Sequence, residues 1–187
     1  MEFRILGPLE VRSGDRAIAI GGEKRRALLL MLLLHPNQPV SAERLAQGLW
    51  GDDVAADAVK TVRVHVSRIR AALHDPDTLV TTPTGYRLRV RPGELDADRF
   101  ENLLERGRRA LADGAPADAA EVLRSGLALW RGDALADVRY EAFAQAAIGR
   151  LDELRWDAIE ACNDAELELG RADAVLAALE RGADAAP

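Results

Sequence analysis

The sequence predicts a mainly α-helical chain with small β elements, an α+β fold, in two domains. Apolar residues make up 48% of the 187 residues, which is enough to bury a core. β-rich runs accompany helical segments in the first half, whereas the second half has apolar residues at helical spacing throughout. Pro92-Gly93 separates the two patterns, so domains are predicted at residues 1–92 and 93–187.

The first half begins with a predicted small antiparallel sheet. Apolar residues alternate with polar ones at Phe3, Ile5, Leu9 and Val11. A turn at residues 13–16 leads to a second short strand at residues 17–20. Further along the chain, two β-rich runs at residues 79–82 and 86–90 flank Pro83-Thr84-Gly85 and predict a hairpin.

Three helices are predicted between these β elements, at residues 23–34, 42–49 and 58–74. The first contains an apolar run that is too short to span a bilayer, so a buried helix is expected there. Ser41 precedes the second helix, and its hydroxyl can accept a hydrogen bond from a free backbone N–H. Asp57 is expected to cap the third helix in the same way.

The second half is predicted to be helical, with helices at residues 96–112, 116–130, 140–169 and 172–181. The turn within residues 111–119 resembles the turn within residues 167–174, and each joins one helix to the next. Such a repeat suggests paired helical hairpins of tetratricopeptide (TPR) type that stack to share a core. Trp130 and Trp156 are expected to pack in that core.

Charge is divided unevenly between the two halves of a chain whose net charge is −6. Residues 1–92 contain 14 basic and 10 acidic residues, for a net charge of +4. Residues 93–187 contain 11 basic and 21 acidic residues, for a net charge of −10. A basic module joined to an acidic one favours nucleic-acid binding by the first half and argues against it for the second.

Residue content excludes several classes of function. Cys162 is the only cysteine, which excludes a disulfide framework and a cysteine-based zinc site and indicates a reducing cytoplasm. The three histidines, His35, His65 and His74, have no metal-ligand spacing. Phosphate-binding glycine loops and the G-x-S-x-G motif are missing from the sequence. We therefore expect no enzymatic activity, cofactor, metal, membrane span or small-molecule substrate.

The third predicted helix has the pattern of a helix that contacts DNA. One apolar stripe recurs at spacings of three and four, formed by Val59, Val62, Val66, Ile69 and Leu73. The other side carries basic and small residues, and no acidic residue lies between Lys60 and His74. Arginine can bond guanine with two hydrogen bonds, and a valine methyl can contact thymine. Alone, the same pattern also fits an ordinary solvated helix.

Motifs in both halves resemble known regulators. Lys60-Thr-Val-Arg-Val-His-Val-Ser-Arg-Ile-Arg-Ala-Ala-Leu73 resembles the recognition helix of OmpR/PhoB-type winged helix-turn-helix proteins, and Thr84-Gly-Tyr-Arg87 resembles their wing. Leu95-Asp-Ala-Asp-Arg-Phe100, Ala128-Leu-Trp-Arg-Gly-Asp-Ala-Leu135 and Arg150-Leu-Asp-Glu-Leu-Arg155 resemble the bacterial transcriptional activator domain. This pairing is typical of the Streptomyces antibiotic regulatory proteins, the SARP family.

The resemblance implies an N-terminal winged helix-turn-helix domain followed by an all-α TPR-like activator domain. That second domain is shorter than is usual in the family, as in a truncated or a naturally small member. The implied function is sequence-specific binding to direct repeats in promoter DNA, with recruitment of RNA polymerase and control of secondary-metabolite (antibiotic) genes. A homodimer on DNA is also implied. The alternative is a helical-repeat protein-interaction adaptor with a degenerate DNA-binding half.

The resemblance also assigns site residues. Base contacts are implied for Arg63, Val64, Ser67 and Arg68. DNA-backbone contacts are implied for Lys60, Thr61, His65, Arg70, Thr82, Thr84 and Arg87. Packing at the edge of the core is an equal alternative for His65, and Tyr86 is expected to pack under the wing. Contacts to RNA polymerase, through its sigma factor, are implied for Trp50, Asp52 and Asp53, although the two aspartates also fit a solvated loop.

Overall fold

A computed structural model describes residues 1–51 and 57–172 of the chain and confirms the predicted α+β class. The strands are β1 (Glu2–Arg4), β2 (Glu10–Ser13), β3 (Arg16–Ile18), β4 (Leu79–Thr82) and β5 (Gly85–Leu88). The helices are α1 (Glu23–Leu33), α2 (Ala42–Trp50), α3 (Ala58–Leu73), α4 (Asp96–Ala112), α5 (Pro116–Leu127) and α6 (Gln145–Glu168). Short 3-10 turns lie at Ala136–Val138 and Ala142–Ala144. The helix predicted at residues 172–181 lies outside the described residues from 173 onward, and so do the loop residues Asp52 and Asp53.

The chain forms two compact units, and each is made of two separate segments of the sequence. The first unit contains Met1–Asp98 and Arg131–Arg150. The second contains Arg99–Trp130 together with the described residues that follow Arg150. A segment from the acidic half of the sequence therefore belongs to the same unit as β1–β5 and α1–α3.

The three strands at the N-terminus form an antiparallel sheet in the order β1-β2-β3. The alternating pattern predicted strand structure over residues 3–11, and the structure divides this region into two strands that pair at Phe3 and Val11. The chain reverses between them at Gly7-Pro8. Gly7 has a φ of 142°, and a Cβ at this position would lie 3.0 Å from the Cβ of Arg131. Glycine therefore allows both the turn and the close approach of the later segment.

Residues 5–9, which connect β1 to β2, are held by hydrogen bonds from later parts of the first unit. The Asp96 carboxylate accepts the backbone N–H groups of Ile5 and Leu6 at 2.8 and 3.0 Å. The backbone N–H of Arg131 donates to the Leu6 carbonyl at 2.8 Å, and that of Leu135 donates to the Ile5 carbonyl at 2.9 Å. This connection therefore has few backbone groups left to satisfy.

Two carboxylates link this connection to the rest of the first unit. Asp96 is 2% exposed and lies 3.7 Å from the Arg131 guanidinium. Burial raises the pKa of Asp96, and the N–H groups of Ile5 and Leu6 and the charge of Arg131 oppose this effect. The second carboxylate, Asp137, accepts the backbone N–H of Leu9 and pairs with Arg26 on α1.

Helices α1, α2 and α3 form the core of the first unit. The apolar run in α1 is buried as predicted, with Leu28, Leu29, Leu30 and Leu32 fully inaccessible. The Ser41 hydroxyl accepts the backbone N–H of Arg44 at 3.1 Å and caps α2, also as predicted. Asp57 precedes α3 but makes no side-chain capping bond, so that prediction was wrong. Its carbonyl instead accepts the backbone N–H of Thr61.

The second unit is built from residues of α4, α5 and α6. Phe100 and Trp130 pack edge to face with ring centroids 5.3 Å apart, and the Arg155 guanidinium lies 4.6 Å from the Trp130 ring centre. These contacts agree with the prediction that Trp130 packs in the core of the helical half. Trp156 is 68% exposed, so the prediction that it packs in the core was wrong. The buried stripe of α6 contains Ala158, Ala161, Cys162 and Ala165, and Trp156 lies outside this stripe.

Two helix boundaries differ from the sequence prediction by more than one residue. α6 begins at Gln145 instead of Tyr140, because Glu141 has extended backbone and the Gln145 side chain bonds the carbonyls of Arg139 and Glu141. α5 ends at Leu127 instead of Trp130. Beyond it the backbone tightens into bonds three residues apart, from Leu129 to Gly126 and from Trp130 to Leu127. Within residues 1–51 and 57–172, no helix combines the length and hydropathy needed to cross a membrane.

We predict that Asp96→Ala lowers the free energy of unfolding by about 2–4 kcal/mol, because it leaves buried backbone donors without an acceptor. The measurement is urea denaturation followed by circular dichroism. Asp133→Ala is the matched control, since Asp133 is exposed and its ion pair with Arg139 is at the surface. Equal stability of the two variants would contradict the role given to Asp96.

Candidate nucleic-acid interface

Helix α3 has one buried face and one exposed face. Ala58, Val62, Val66, Ile69 and Leu73 are buried, which confirms most of the predicted apolar stripe. Val59 is half-buried. The exposed side chains are Lys60, Arg63, Val64, Ser67, Arg68 and Ala71. All four residues that the sequence assigned to base contacts therefore lie on one exposed face.

Val64 is the unusual member of this face because it is 46% exposed, although a β-branched apolar side chain is usually buried. Arg63 and Arg68 flank it on the helix surface with exposed guanidinium groups, and Ser67 adds a hydroxyl. The face thus combines an apolar group with hydrogen-bond donors in a small area. This combination matches the chemistry of base edges in the major groove, where guanine offers acceptors and thymine offers a methyl group.

The remaining backbone-contact candidates on α3 differ in exposure. Lys60 is exposed near the start of the helix. Thr61 is half-buried, and its hydroxyl donates to the Asp57 carbonyl at 3.3 Å. Arg70 is half-buried, and its guanidinium bonds the β4–β5 hairpin. Of Lys60 and Arg70, the lysine and the arginine of α3 that were assigned to the DNA backbone, Lys60 is therefore the more accessible.

His65 is half-buried and stacks on Trp50, the last residue of α2, with ring centroids 6.2 Å apart and planes inclined at 21°. The structure thus brings together a residue assigned to DNA and one assigned to RNA polymerase. Burial lowers the pKa of His65, and the nearby charges of Arg25 and Arg68 lower it further. Its Nδ1 atom has no hydrogen-bond partner among the described residues.

Arg25 is a cation near this surface that the sequence analysis missed. It lies in the first turn of α1, and its guanidinium folds back over Gly22, whose φ is 87°. The prediction of a buried helix depended on the apolar run of α1. It assigned no role to the basic residues that precede this run. Arg25 is half-buried, and its place in the basic run Lys24-Arg25-Arg26 was the available signal.

The β4–β5 hairpin follows α3 as predicted. Tyr86 is 8% exposed, which confirms its predicted position under the hairpin. At Gly85, φ is 144° and a Cβ would collide with the carbonyl of Val40 and the Cα of Ser41, so only glycine fits. Thr84 is exposed at the turn, whereas the Thr82 hydroxyl donates to the Gly85 carbonyl at 3.2 Å. Arg87 is half-buried on the outer side of β5.

Comparisons with known proteins identify both parts of the chain. The family model described as "Transcriptional regulatory protein, C terminal" matches residues 19–88, and "Bacterial transcriptional activator domain" matches residues 95–187. MoaR1 of Mycobacterium tuberculosis, a transcriptional regulatory protein, is 37% identical over 97% of this chain. The chain belongs to the SARP family of transcriptional regulators. The first family model begins after β3, covers α1 to β5 and therefore includes the whole of α3.

Other SARP relatives are similar over nearly the same stretch. The regulatory protein AfsR of Streptomyces coelicolor is 35% identical over 91% of this chain. A solved structure of Mycobacterium tuberculosis EmbR, in complex with a low-affinity phosphopeptide, matches 96% of this chain with a TM-score of 0.89 and 33% identity. The chain spans 60% of MoaR1, 17% of AfsR and 49% of that EmbR chain.

We predict that His65→Gln flattens the pH dependence of stability between about pH 7 and pH 5. The pKa of His65 is lowered in the folded SARP chain, so the unfolded chain takes up its proton first, and stability falls as the pH drops. His35→Gln is the matched variant and should flatten the pH dependence in the same sense, because burial and the charge of Arg44 also lower the pKa of His35. The measurement is chemical denaturation at several pH values. An unchanged pH dependence in His65→Gln would contradict a lowered pKa of His65 in the folded chain.

Proposed function

We propose that this regulator binds double-stranded promoter DNA sequence-specifically, with α3 in the major groove. The observation that carries the proposal is the single exposed face of α3, where Arg63, Val64, Ser67 and Arg68 lie together without an acidic neighbour on the helix. Arginine and serine can bond base edges there, and Val64 can contact a thymine methyl. Contacts to base edges specify sequence, whereas contacts to phosphate hold the protein in register.

Electrostatics support the same assignment. Residues 1–92 have a net charge of +4 although the whole chain is at −6, so attraction to phosphate is concentrated in the part of the chain that contains α3. We propose phosphate or sugar contacts for Lys60, Thr61 and His65 on α3. For the hairpin we propose them for Thr82, Thr84 and Arg87. Arg25 adds a positive charge close to His65.

We further propose that the chain activates transcription by recruiting RNA polymerase, with the α2–α3 connection facing the sigma factor through Trp50, Asp52 and Asp53. The family resemblance supports this contact and also supports binding as a homodimer to direct repeats. Control of antibiotic or other secondary-metabolite genes is the corresponding biological role. On this proposal the chain acts by binding alone, without catalysis or a cofactor.

A protein-interaction adaptor is the second candidate. The exposure of Trp156, at 68%, favours a protein contact on α6. The two functions separate by experiment, because an adaptor with a degenerate DNA-binding half binds all duplexes equally. A regulator selects a sequence from a random duplex pool and then binds it in preference to random DNA.

We predict that Arg68→Ala weakens binding to the selected duplex by about 1–3 kcal/mol and relaxes its specificity at one position. Gel-shift titration against the selected and a random duplex measures both effects. Arg106→Ala is the control, because Arg106 is an exposed arginine on α4 and outside the proposed interface. An equal loss on both duplexes would make Arg68 a phosphate contact.

For the unmodified protein, we expect the logarithm of the DNA-binding constant to fall linearly with the logarithm of the salt concentration. About 6–10 phosphate contacts give a slope of roughly −5 to −9.

We predict that the double variant Asp52→Ala, Asp53→Ala loses most activation in a reconstituted transcription assay while it keeps the affinity for DNA. The reason is that carboxylates can pair with a basic surface of the polymerase, whereas the anionic phosphates of the duplex repel them. The assay compares transcript yield with gel-shift affinity for the same promoter. Full activation by the double variant would remove these residues from the polymerase contact.

A further inference from the structure

The side chain of Arg70 connects α3 to the β4–β5 hairpin. Its Nε atom donates to the Leu79 carbonyl at 2.6 Å, and its Nη2 atom donates to the Thr81 hydroxyl at 2.8 Å. The guanidinium carbon lies 5.9 Å from the centre of the Tyr86 ring. Arg70 therefore contacts both strands of the hairpin from the C-terminal half of the helix that carries the base-contact candidates.

A second attachment holds the hairpin from the opposite direction. Val40, which precedes α2, exchanges two backbone hydrogen bonds with Tyr86, at 2.8 and 2.9 Å. Gly85 lies against the Val40 carbonyl so closely that no side chain fits. The Val40 bridge fixes β5 relative to α2, and Arg70 fixes β4 relative to α3. The backbone N–H of Asn37 also donates to the Leu88 carbonyl of β5 at 2.9 Å. Among these three attachments, only that of Arg70 depends on a side chain of α3.

The chemistry of this contact requires arginine. Two donors of one planar guanidinium are directed at two acceptors two residues apart on β4, while its central carbon lies 5.9 Å from the centre of an aromatic ring. A lysine has the same charge but cannot supply this pair of directed donors. With two hydrogen bonds made and the side chain half-buried, Arg70 is less available to a phosphate than Lys60 or Arg68, which are exposed.

We propose that Arg70 is a positioning residue that sets the distance between the base-contact face of α3 and the tip of the hairpin. This spacing allows Ser67 and Arg68 to reach base edges while Thr84 reaches the backbone of the same duplex. The inference rests on the proposed DNA binding and changes the role of Arg70 from a phosphate contact to an internal link. Loss of the link releases the hairpin from the duplex and leaves the α3 contacts in place.

Arg70→Lys is the test variant, with Arg68→Lys as the matched control on the same helix. Hydroxyl-radical footprinting on the selected duplex reports the α3 and hairpin contacts separately. For Arg70→Lys we expect about tenfold weaker binding and selective loss of protection where the hairpin lies, with the α3 protection retained. For Arg68→Lys we expect loss at the α3 position and intact protection by the hairpin. Uniform loss of all protection by Arg70→Lys would indicate a structural role only.

Thr81→Val provides a second variant that avoids disturbing α3. Thr81 is exposed, and the substitution removes one of the two acceptors while it keeps the shape of the side chain. If the two residues act through one contact, the double variant Arg70→Lys, Thr81→Val binds DNA little more weakly than Arg70→Lys alone. Fully additive losses in this double-mutant cycle would overturn the proposal.

Amide hydrogen exchange in the free protein separates failure of this inference from failure of the proposed function. We expect faster exchange in β4 of Arg70→Lys, with unchanged exchange in α1. If no duplex binds specifically, DNA binding fails, and the exchange rates still show whether Arg70 holds the hairpin. If Arg70→Lys keeps full affinity, hairpin protection and slow exchange, charge alone is required and Arg70 is a phosphate contact.

Discussion

The buried carboxylate of Asp96 accepts the backbone N–H groups of Ile5 and Leu6, and its charge is balanced by Arg131. These contacts join the N-terminal sheet, the start of α4 and the segment that begins at Arg131. Burial of a carboxylate without hydrogen-bond or ionic partners is costly in free energy. The bonds that Asp96 requires therefore fix the sheet, the start of α4 and the segment from Arg131 relative to one another. Asp137 repeats the arrangement by joining Leu9 to Arg26 on α1. The helix that begins the three-helix core is thereby connected to the acidic half of the sequence.

The same core determines what α3 presents. Because Val62, Val66 and Ile69 are buried against the other helices, the rotation of α3 about its axis is fixed. Arg63, Val64, Ser67 and Arg68 are then directed outward together. The proposed specificity for DNA depends on such rigid placement, since a base-edge hydrogen bond tolerates little error in position. Arg70 extends the fixed geometry from α3 to the hairpin.

Periodic patterns made much of this arrangement predictable from the sequence. The buried α1, the Ser41 cap and the two faces of α3 follow from local spacing, because each depends on residues close together in the chain. Contacts between distant residues were not predictable, including the bonds of Arg70 to β4 and the membership of Arg131–Arg150 in the first unit. Trp156 shows the same limit, since a large aromatic residue was expected inside and α6 instead buries a stripe of small residues. Side-chain type alone did not specify which face of that helix is covered.

The discontinuity of the first unit has a consequence for how the chain folds as it is synthesised. The ribosome releases β1–β5 and α1–α3 before it releases Arg131–Arg150. The N-terminal sheet therefore cannot make some of its contacts until residues more than a hundred positions later are present, as for Leu9 and Asp137. Contacts of such long sequence separation form late and slow the final folding step. The Arg99–Trp130 segment is synthesised during this interval. The unit that carries α3 is therefore completed only after Arg131–Arg150 has been translated, which ties its maturation to the presence of the activator half.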